Sequence, residues 1–298
     1  MTRKSKGHKE ILAMPSSFVI YCHPEIDLSK RAYIGKGLYD GFMAFLAQLD
    51  SQVAQKISGA KTIPFTLSPL FGKVDRRPMT KERREIEKLV GERDFGRESF
   101  VKAETSCRLR ISLLEDSIGK RLEEILGEPG EGVSLTIDGI PLRITDAVFS
   151  HESADPWVNR KSYRELYDDA SPLMRNVTLQ FFTATALKRR GGSLPLPDPQ
   201  LVFKGYLDHW RWFSFVPFSS DFMEVIEQSI LLTDFNISPA SHEMDYGKQH
   251  GFTGWCQFLL AGRHHEKHIR EFNALADYAF YCGTGGNTSL GMGVTRRV

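Results

Sequence analysis

Only four cysteines occur in 298 residues, at Cys22, Cys107, Cys256 and Cys282, and no two form a CxxC pair. Such spacing excludes a small disulfide scaffold and argues against a zinc ribbon. Buried reduced thiols are the expectation. No apolar run reaches the roughly 18 residues of a membrane helix. The basic start MTRKSKGHKE is followed only by Ile-Leu before AMPSS, too short for a secretory core. A soluble, cytoplasmic protein without a membrane partner is expected. Charge of one sign is also missing: 39 Lys and Arg oppose 37 Asp and Glu, a net +2. Nucleic-acid binding through bulk charge is thereby excluded, so any such binding requires cations gathered on one surface. With 41% hydrophobic and 26% charged residues, the chain is neither collagen-like nor disordered. Its length suits about two domains.

Hydrophobic patterning then orders the chain. Residues 17–22 (SFVIYC) read as a strand closed by Pro24. A helix is predicted from about Lys36 to Ile57, with Leu38, Phe42, Phe45, Leu46, Leu49 and Val53 on one face. Residues 62–71 (TIPFTLSPLF) read as a strand whose two prolines place it at an edge. Residues 73–98 form a charged insertion, helical around Lys81 to Val90. From Phe100 to Leu114 a half-buried strand is predicted. Ala103, Thr105, Cys107, Leu109 and Ile111 lie on one face; Lys102, Glu104, Arg108 and Arg110 lie on the other. A helix over 115–126 and a strand pattern over 134–149, broken at Asp138-Gly139, complete the first half.

After a linker the same order returns. Residues 176–184 (NVTLQFFTA) are a strand, followed by a helix starting near Pro199. Residues 222–232 extend that helix or begin another. Strands over 235–246 and 252–261, a helix over Lys267 to Cys282 and a last strand from Val294 follow. Each half reads β, α, β, β, α, β. The predicted fold is therefore α+β, two tandem ferredoxin-like domains with antiparallel sheets. They span 1–150, carrying the insertion, and 151–298, ending in a glycine-rich loop at 283–293.

That loop, CGTGGNTSLGMGV, carries Gly283, Gly285, Gly286, Gly291 and Gly293 directly after a helix. Glycine permits positive φ and close backbone approach, and free backbone N–H groups in such a loop can hold phosphate oxygens. A phosphate-binding P-loop needs a lysine and the order strand, loop, helix; neither is present.

The helix, GTGGNTSLGMGV loop and terminal strand resemble the signature of the repeat-associated RNA-binding (RAMP) superfamily. Within it they resemble the CRISPR-associated endoribonucleases that process precursor CRISPR RNA. PFTLSPLFG at 64–72, VTLQFFTATALKRRGGSLPLPDPQLVF at 177–203 and GFTGWCQFLL at 251–260 support the resemblance in order. It covers most of the chain except 73–98. It implies metal-independent cleavage inside a CRISPR repeat RNA, without a cofactor. The RNA's 2′-OH attacks the adjacent phosphate, leaving a 2′,3′-cyclic phosphate and a 5′-OH. Positioning, proton transfer and charge stabilisation are then the protein's tasks. A non-cleaving repeat-RNA-binding or effector-complex subunit of the same fold is the rival.

Many members carry a catalytic histidine just after the first helix. Here the stretch reads SQVAQKISGAKTIPF, with Lys56 and Lys61 as its nearest ionisable groups. Either lysine and arginine do the work, or a histidine arrives from elsewhere. The candidates are Lys56, then His151 and His23, with Arg31 and Lys61 as supporting charges. His264, His265 and His268 in HHEKH do not match a metal motif and read as a solvated turn. For RNA binding the candidates are the five loop glycines, Lys188, Arg189 and Arg190, Arg160, Lys161 and Arg164 in the linker, and Arg296 with Arg297. These cations are expected to converge beside an interdomain cleft. Effector-complex proteins and a second copy of the chain are further partners left open.

Overall fold

A computed structural model describes residues 14–29, 35–72, 74–76, 99–115, 118–127, 134–149, 155–189, 191–244 and 247–298. The predicted helix at 81–90 lies outside them. β1 (Ser16–Pro24) buries Phe18, Ile20 and Cys22 on its helix side. The helical run after it is two helices, α1 (Lys36–Leu49) and α2 (Ser51–Ser58). Asp50 divides them: its backbone is extended, and its carboxylate accepts from the N–H groups of Gln52 (3.0 Å) and Val53 (3.1 Å). An aspartate able to cap ends one helix and starts the next.

β2 (Leu28–Ser29), β4 (Val74–Arg76) and β5 (Ser99–Val101) form a small separate sheet. β3 (Phe65–Leu67), β6 (Cys107–Leu113), α3 (Gly119–Leu126), β7 (Ser134–Ile137) and β8 (Ile140–Val148) complete the first domain. Its antiparallel order is β3-β6-β1-β8-β7. β3, the strand bracketed by prolines, is at the edge. Asp138 (φ +48°) and Gly139 (φ +76°) make the hairpin turn between β7 and β8.

The connecting segment belongs to both halves. β9 (Asn159–Arg160) pairs with β1, whereas α4 (Tyr163–Asp168), started by a Ser162/Glu165 capping box, packs on the last helix. The second domain has β10 (Asn176–Thr185), a ribbon of β11 (Leu187–Arg189) and β12 (Gly192–Leu194), and α5 (Pro199–Phe213) capped by Asp198. α6 (Phe222–Ser229) leads into a long hairpin, β13 (Ile230–Met244) and β14 (Gly247–Leu260), then α7 (Glu266–Cys282) and β15 (Thr295–Arg297). Its order is β13-β14-β10-β15. In the second sheet β10 and β14 are central, flanked by β15 and β13; in the first β1 and β6 are central, flanked by β8 and β3 with β7 beyond β8, the ferredoxin-like arrangement in both. The cores hold Phe18, Phe42, Phe45 and Phe65 in one domain, and Phe181, Phe203, Tyr206 and Trp210 in the other. Each buried phenylalanine contributes about 1.5–3 kcal/mol.

Arg110 departs from the alternation. It was expected on a polar face but is 4% exposed, sealed between the domains. Its guanidinium donates to Ser17 Oγ (2.8 Å) and to the Phe280 carbonyl. It lies over the rings of Phe280 (4.4 Å) and Trp157 (5.3 Å). Tyr163 Oη donates to the Leu114 carbonyl (3.0 Å) and Thr66 Oγ1 to the Tyr281 carbonyl (3.0 Å) across the same interface.

Candidate functional site

The glycine-rich loop folds on itself. Gly283, at φ +65°, turns the chain out of α7. Thr284 N–H donates to the Gly293 carbonyl (2.8 Å), Gly293 N–H to Ala184 (3.0 Å) and Gly286 N–H to Ala186 (2.9 Å). Leu290 and Met292 both donate to the Asn287 carbonyl (2.9 and 3.2 Å). At Gly285 and Gly293, φ is positive and a Cβ would run into the carbonyl oxygens of Ala186 and Thr284. These N–H groups are spent on holding the loop. The stretch offered to a ligand is Gly285, Gly286, Asn287, Ser289 and Leu290, exposed or half-buried. Gly291 and Gly293 are less available: Gly293 is buried, and Gly291 ends the short helical turn over Thr288–Leu290.

The loop docks on the first domain at the start of α1. Gly35 N–H donates to the Leu290 carbonyl (2.8 Å). Met244, at the end of β13, is buried with Ala186 and Met292, and its Sδ lies 3.4 Å from where a Cβ on Gly35 would stand. The Lys188 side chain lies over Gly286. Lys36, the first residue of α1, is exposed and reaches Asp40. Five separate segments therefore meet here: the glycine loop, the β13–β14 tip, the β11–β12 ribbon, the start of α1, and β3, which lies against Thr288–Leu290. Two lysines border the junction. Lys36 escaped the sequence reading because nothing local marks a helix start as an interdomain contact.

The expected cations form two groups. Lys188 and Arg189 are beside the glycine loop, where Arg189 pairs with Asp198 (3.3 Å); Arg190 lies outside the described residues. Lys161, Arg296 and Arg297 line a cavity of about 510 Å³ between the connecting segment, α7 and β15, and Arg160 precedes Lys161 in the same segment. Lys161 pairs with Asp169 (2.9 Å), Arg160 with Glu123 (3.3 Å), Arg297 with Asp277 (2.9 Å) and Arg164 with Asp168 (3.9 Å). Burial pushes the Asp277 carboxyl up, while Arg297 beside it pulls it down. Arg296 stands over the Trp157 ring (5.9 Å). β10 separates the groups. Gln180 pairs with Arg296, whereas Ala186, just past the end of the same strand, meets the loop. At a rise of about 3.3 Å per residue the two points lie roughly 20 Å apart along the strand.

Of the catalytic candidates, Arg31 and His151 lie outside the described residues. Lys56 lies in α2 and Lys61 in the turn between α2 and β3. Lys56 is 3.9 Å from Glu115, just past β6, and Lys61 lies over the Trp212 ring (5.7 Å). α1, between Lys36 and α2, alone spans about 21 Å. His23 is half-buried at the end of β1, opposite Arg143, two strands in from edge strand β3 and on the face away from α1. In HHEKH only the turn part is solvated. His268 is 9% exposed inside α7 and meets Asp221 Oδ1 (3.3 Å) through Nε2. Among the described residues no three His, Cys, Asp or Glu gather as metal ligands. No described helix is long and apolar enough to cross a membrane.

Comparison with known proteins agrees with this architecture. Residues 14–168 match the family model of the CRISPR Cas6 N-terminal domain, and residues 179–295 that of the CRISPR-associated endoribonuclease Cas6. The CRISPR-associated endoribonuclease Cas6 of Mycobacterium tuberculosis is 24% identical over 206 residues, covering 68% of this chain and 62% of that protein. The chain thus spans less than two thirds of the length of that relative. Among solved structures, a Cas6 product complex superposes with a TM-score of 0.72 at 23% identity, over 96% of this chain and 100% of that one. Thermus thermophilus Cas6 gives 0.65 at 22%, over 96% and 98%. A Cas6-related protein of Pyrococcus furiosus gives 0.52 at 13%, over 95% and 98%. The structural likenesses establish the shared fold, and the two family models together span most of the sequence: the chain belongs to the Cas6 family of CRISPR-associated endoribonucleases.

Proposed function

We propose that this protein cleaves CRISPR repeat RNA within precursor transcripts to release mature CRISPR RNAs. The reaction is metal-independent: the 2′-oxygen attacks the adjacent phosphorus, and the products end in a 2′,3′-cyclic phosphate and a 5′-OH. Family membership supports the substrate. The observation that carries the reading is the docking of the glycine loop on α1, through the 2.8 Å bond from Gly35 to Leu290. It produces a composite junction between two domains, bordered by Lys36 and Lys188, where a phosphodiester can be held in line. Preorganised cations there stabilise charge developing on the phosphorane oxygens. Arg160, Lys161 and Arg296 hold a second stretch of the same RNA. Lys56, His151 and His23, with Arg31 and Lys61 in support, remain the candidates from the chain order alone.

Incubation with repeat RNA in EDTA, followed by mapping of product ends, tests the reading. Cyclic-phosphate and 5′-OH ends are expected. Tight binding without cleavage would favour the non-cleaving relative of the same fold. Single alanine variants at Lys56, His151 and His23 then test those three: full activity in all would remove them from the chemistry.

A further inference from the structure

We infer that His242, on the β13–β14 hairpin, is the general base of this cleavage. The inference rests on the metal-independent reading above. His242 stands two residues before Met244. In the hairpin ladder Ala240 opposes Gly251, His242 opposes Gln249 and Met244 opposes Gly247. Alternate residues of a strand share a face, so Ala240, His242 and Met244 project together, beside Gln249.

Contacts on both sides of His242 fix what that face meets. Met244 is packed with Ala186 and Met292 against Gly35. A Cβ on Gly251 would overlap the Thr185 backbone. Gln249 Oε1 accepts from Ser193 Oγ (3.2 Å), and Ser193 pairs with Lys188 in the β11–β12 ladder. His242, half-buried, therefore projects at the junction of the glycine loop, the start of α1 and the ribbon bearing Lys188. Ser241 and His250 occupy the opposite face, where His250 is exposed.

Chemistry distinguishes the groups at this junction. Lys36 and Lys188 offer ammonium donors without a lone pair. An imidazole ordinarily titrates near pH 6.5 and is a ready proton acceptor at neutrality. His242 takes the proton of the 2′-OH as the 2′-oxygen forms its bond to phosphorus. The bond from phosphorus to the 5′-oxygen breaks, and that oxygen leaves with a proton from solvent. The imidazolium then returns its proton to water. The expected family histidine is thereby replaced by one arriving from another domain.

Single-turnover cleavage of repeat RNA in EDTA tests this with wild type, His242→Ala and His250→Ala. His242→Ala is expected to cleave about 10²–10⁴-fold more slowly while binding RNA within threefold of wild type. Wild-type rate should rise with pH and level off once the base is unprotonated. His242→Ala should lose that rise and regain rate with added imidazole. His250→Ala should match wild type. Cleavage by His242→Ala within threefold of wild type overturns the assignment alone. So does a loss matched by lost binding and unmoved by imidazole. Binding without cleavage by wild type overturns the metal-independent reading, and this inference with it.

Discussion

Arg110, on β6 of the first domain, donates through its guanidinium to the backbone carbonyl of Phe280, in the last helix of the second. The two residues are 170 positions apart in the chain. The charge is held by Ser17 Oγ, this carbonyl and two aromatic faces. Burial pushes the guanidinium down to about 9.

Truncating this side chain removes charged hydrogen bonds and leaves a void between the domains. Arg110→Ala is expected to lose about 2–4 kcal/mol. Calorimetry should show the domains unfolding in separated transitions where the wild type unfolds in closer step. Unchanged melting would mean that the interface is held elsewhere.

Within the glycine loop, backbone conformation separates positions of the same residue type. Gly293→Ala places a Cβ against the Thr284 carbonyl at a φ of +67°. Gly286→Ala meets the flexible end of Lys188, at an ordinary φ. The first should cost several kcal/mol, beyond the roughly 1 kcal/mol of an ordinary positive-φ replacement. The second should shift stability by less than about 1 kcal/mol. Thermal melts of both variants check the contrast.

Lys188 is exposed beside the loop, whereas Arg189 is engaged by Asp198. If RNA lies along the loop, Lys188→Ala should weaken repeat-RNA binding across sequences. It should also reduce the slope of log Kd against log salt by about 1. Fluorescence anisotropy over a salt series measures both. An unchanged slope would place the RNA away from this lysine.

Glu271 is 0% exposed in α7. Burial raises its carboxyl above the usual range, against opposing hydrogen bonds from Ser219 and the nearby Lys267 and His268. A carboxyl raised on folding contributes stability that is complete below its unfolded value, about 4.3, and is lost as pH rises through the folded value. Glu271→Gln keeps an oxygen to accept from Ser219 N–H (2.6 Å) and Oγ (2.9 Å). The variant should lose less stability than wild type as pH rises above about 4 in denaturant titrations. Identical pH slopes would show that Glu271 does not titrate there.

The sequence by itself determined the element order of both domains, the edge position of the proline-bracketed β3 and the helix that precedes the glycine loop. These follow from local period, turn residues and caps, which depend on neighbours a few positions apart. Asp50 shows the limit of that information: the apolar face runs on through it, while its extended backbone divides the helix. Tertiary structure alone decided that Arg110 is buried, that the cations fall into two groups, and that Gly35, Lys188 and Leu290 belong to one junction. Alternation along a strand shows which side chains turn away from the helices of their own domain. It carries no information about what covers that second face, because the covering surface comes from residues far away in the chain.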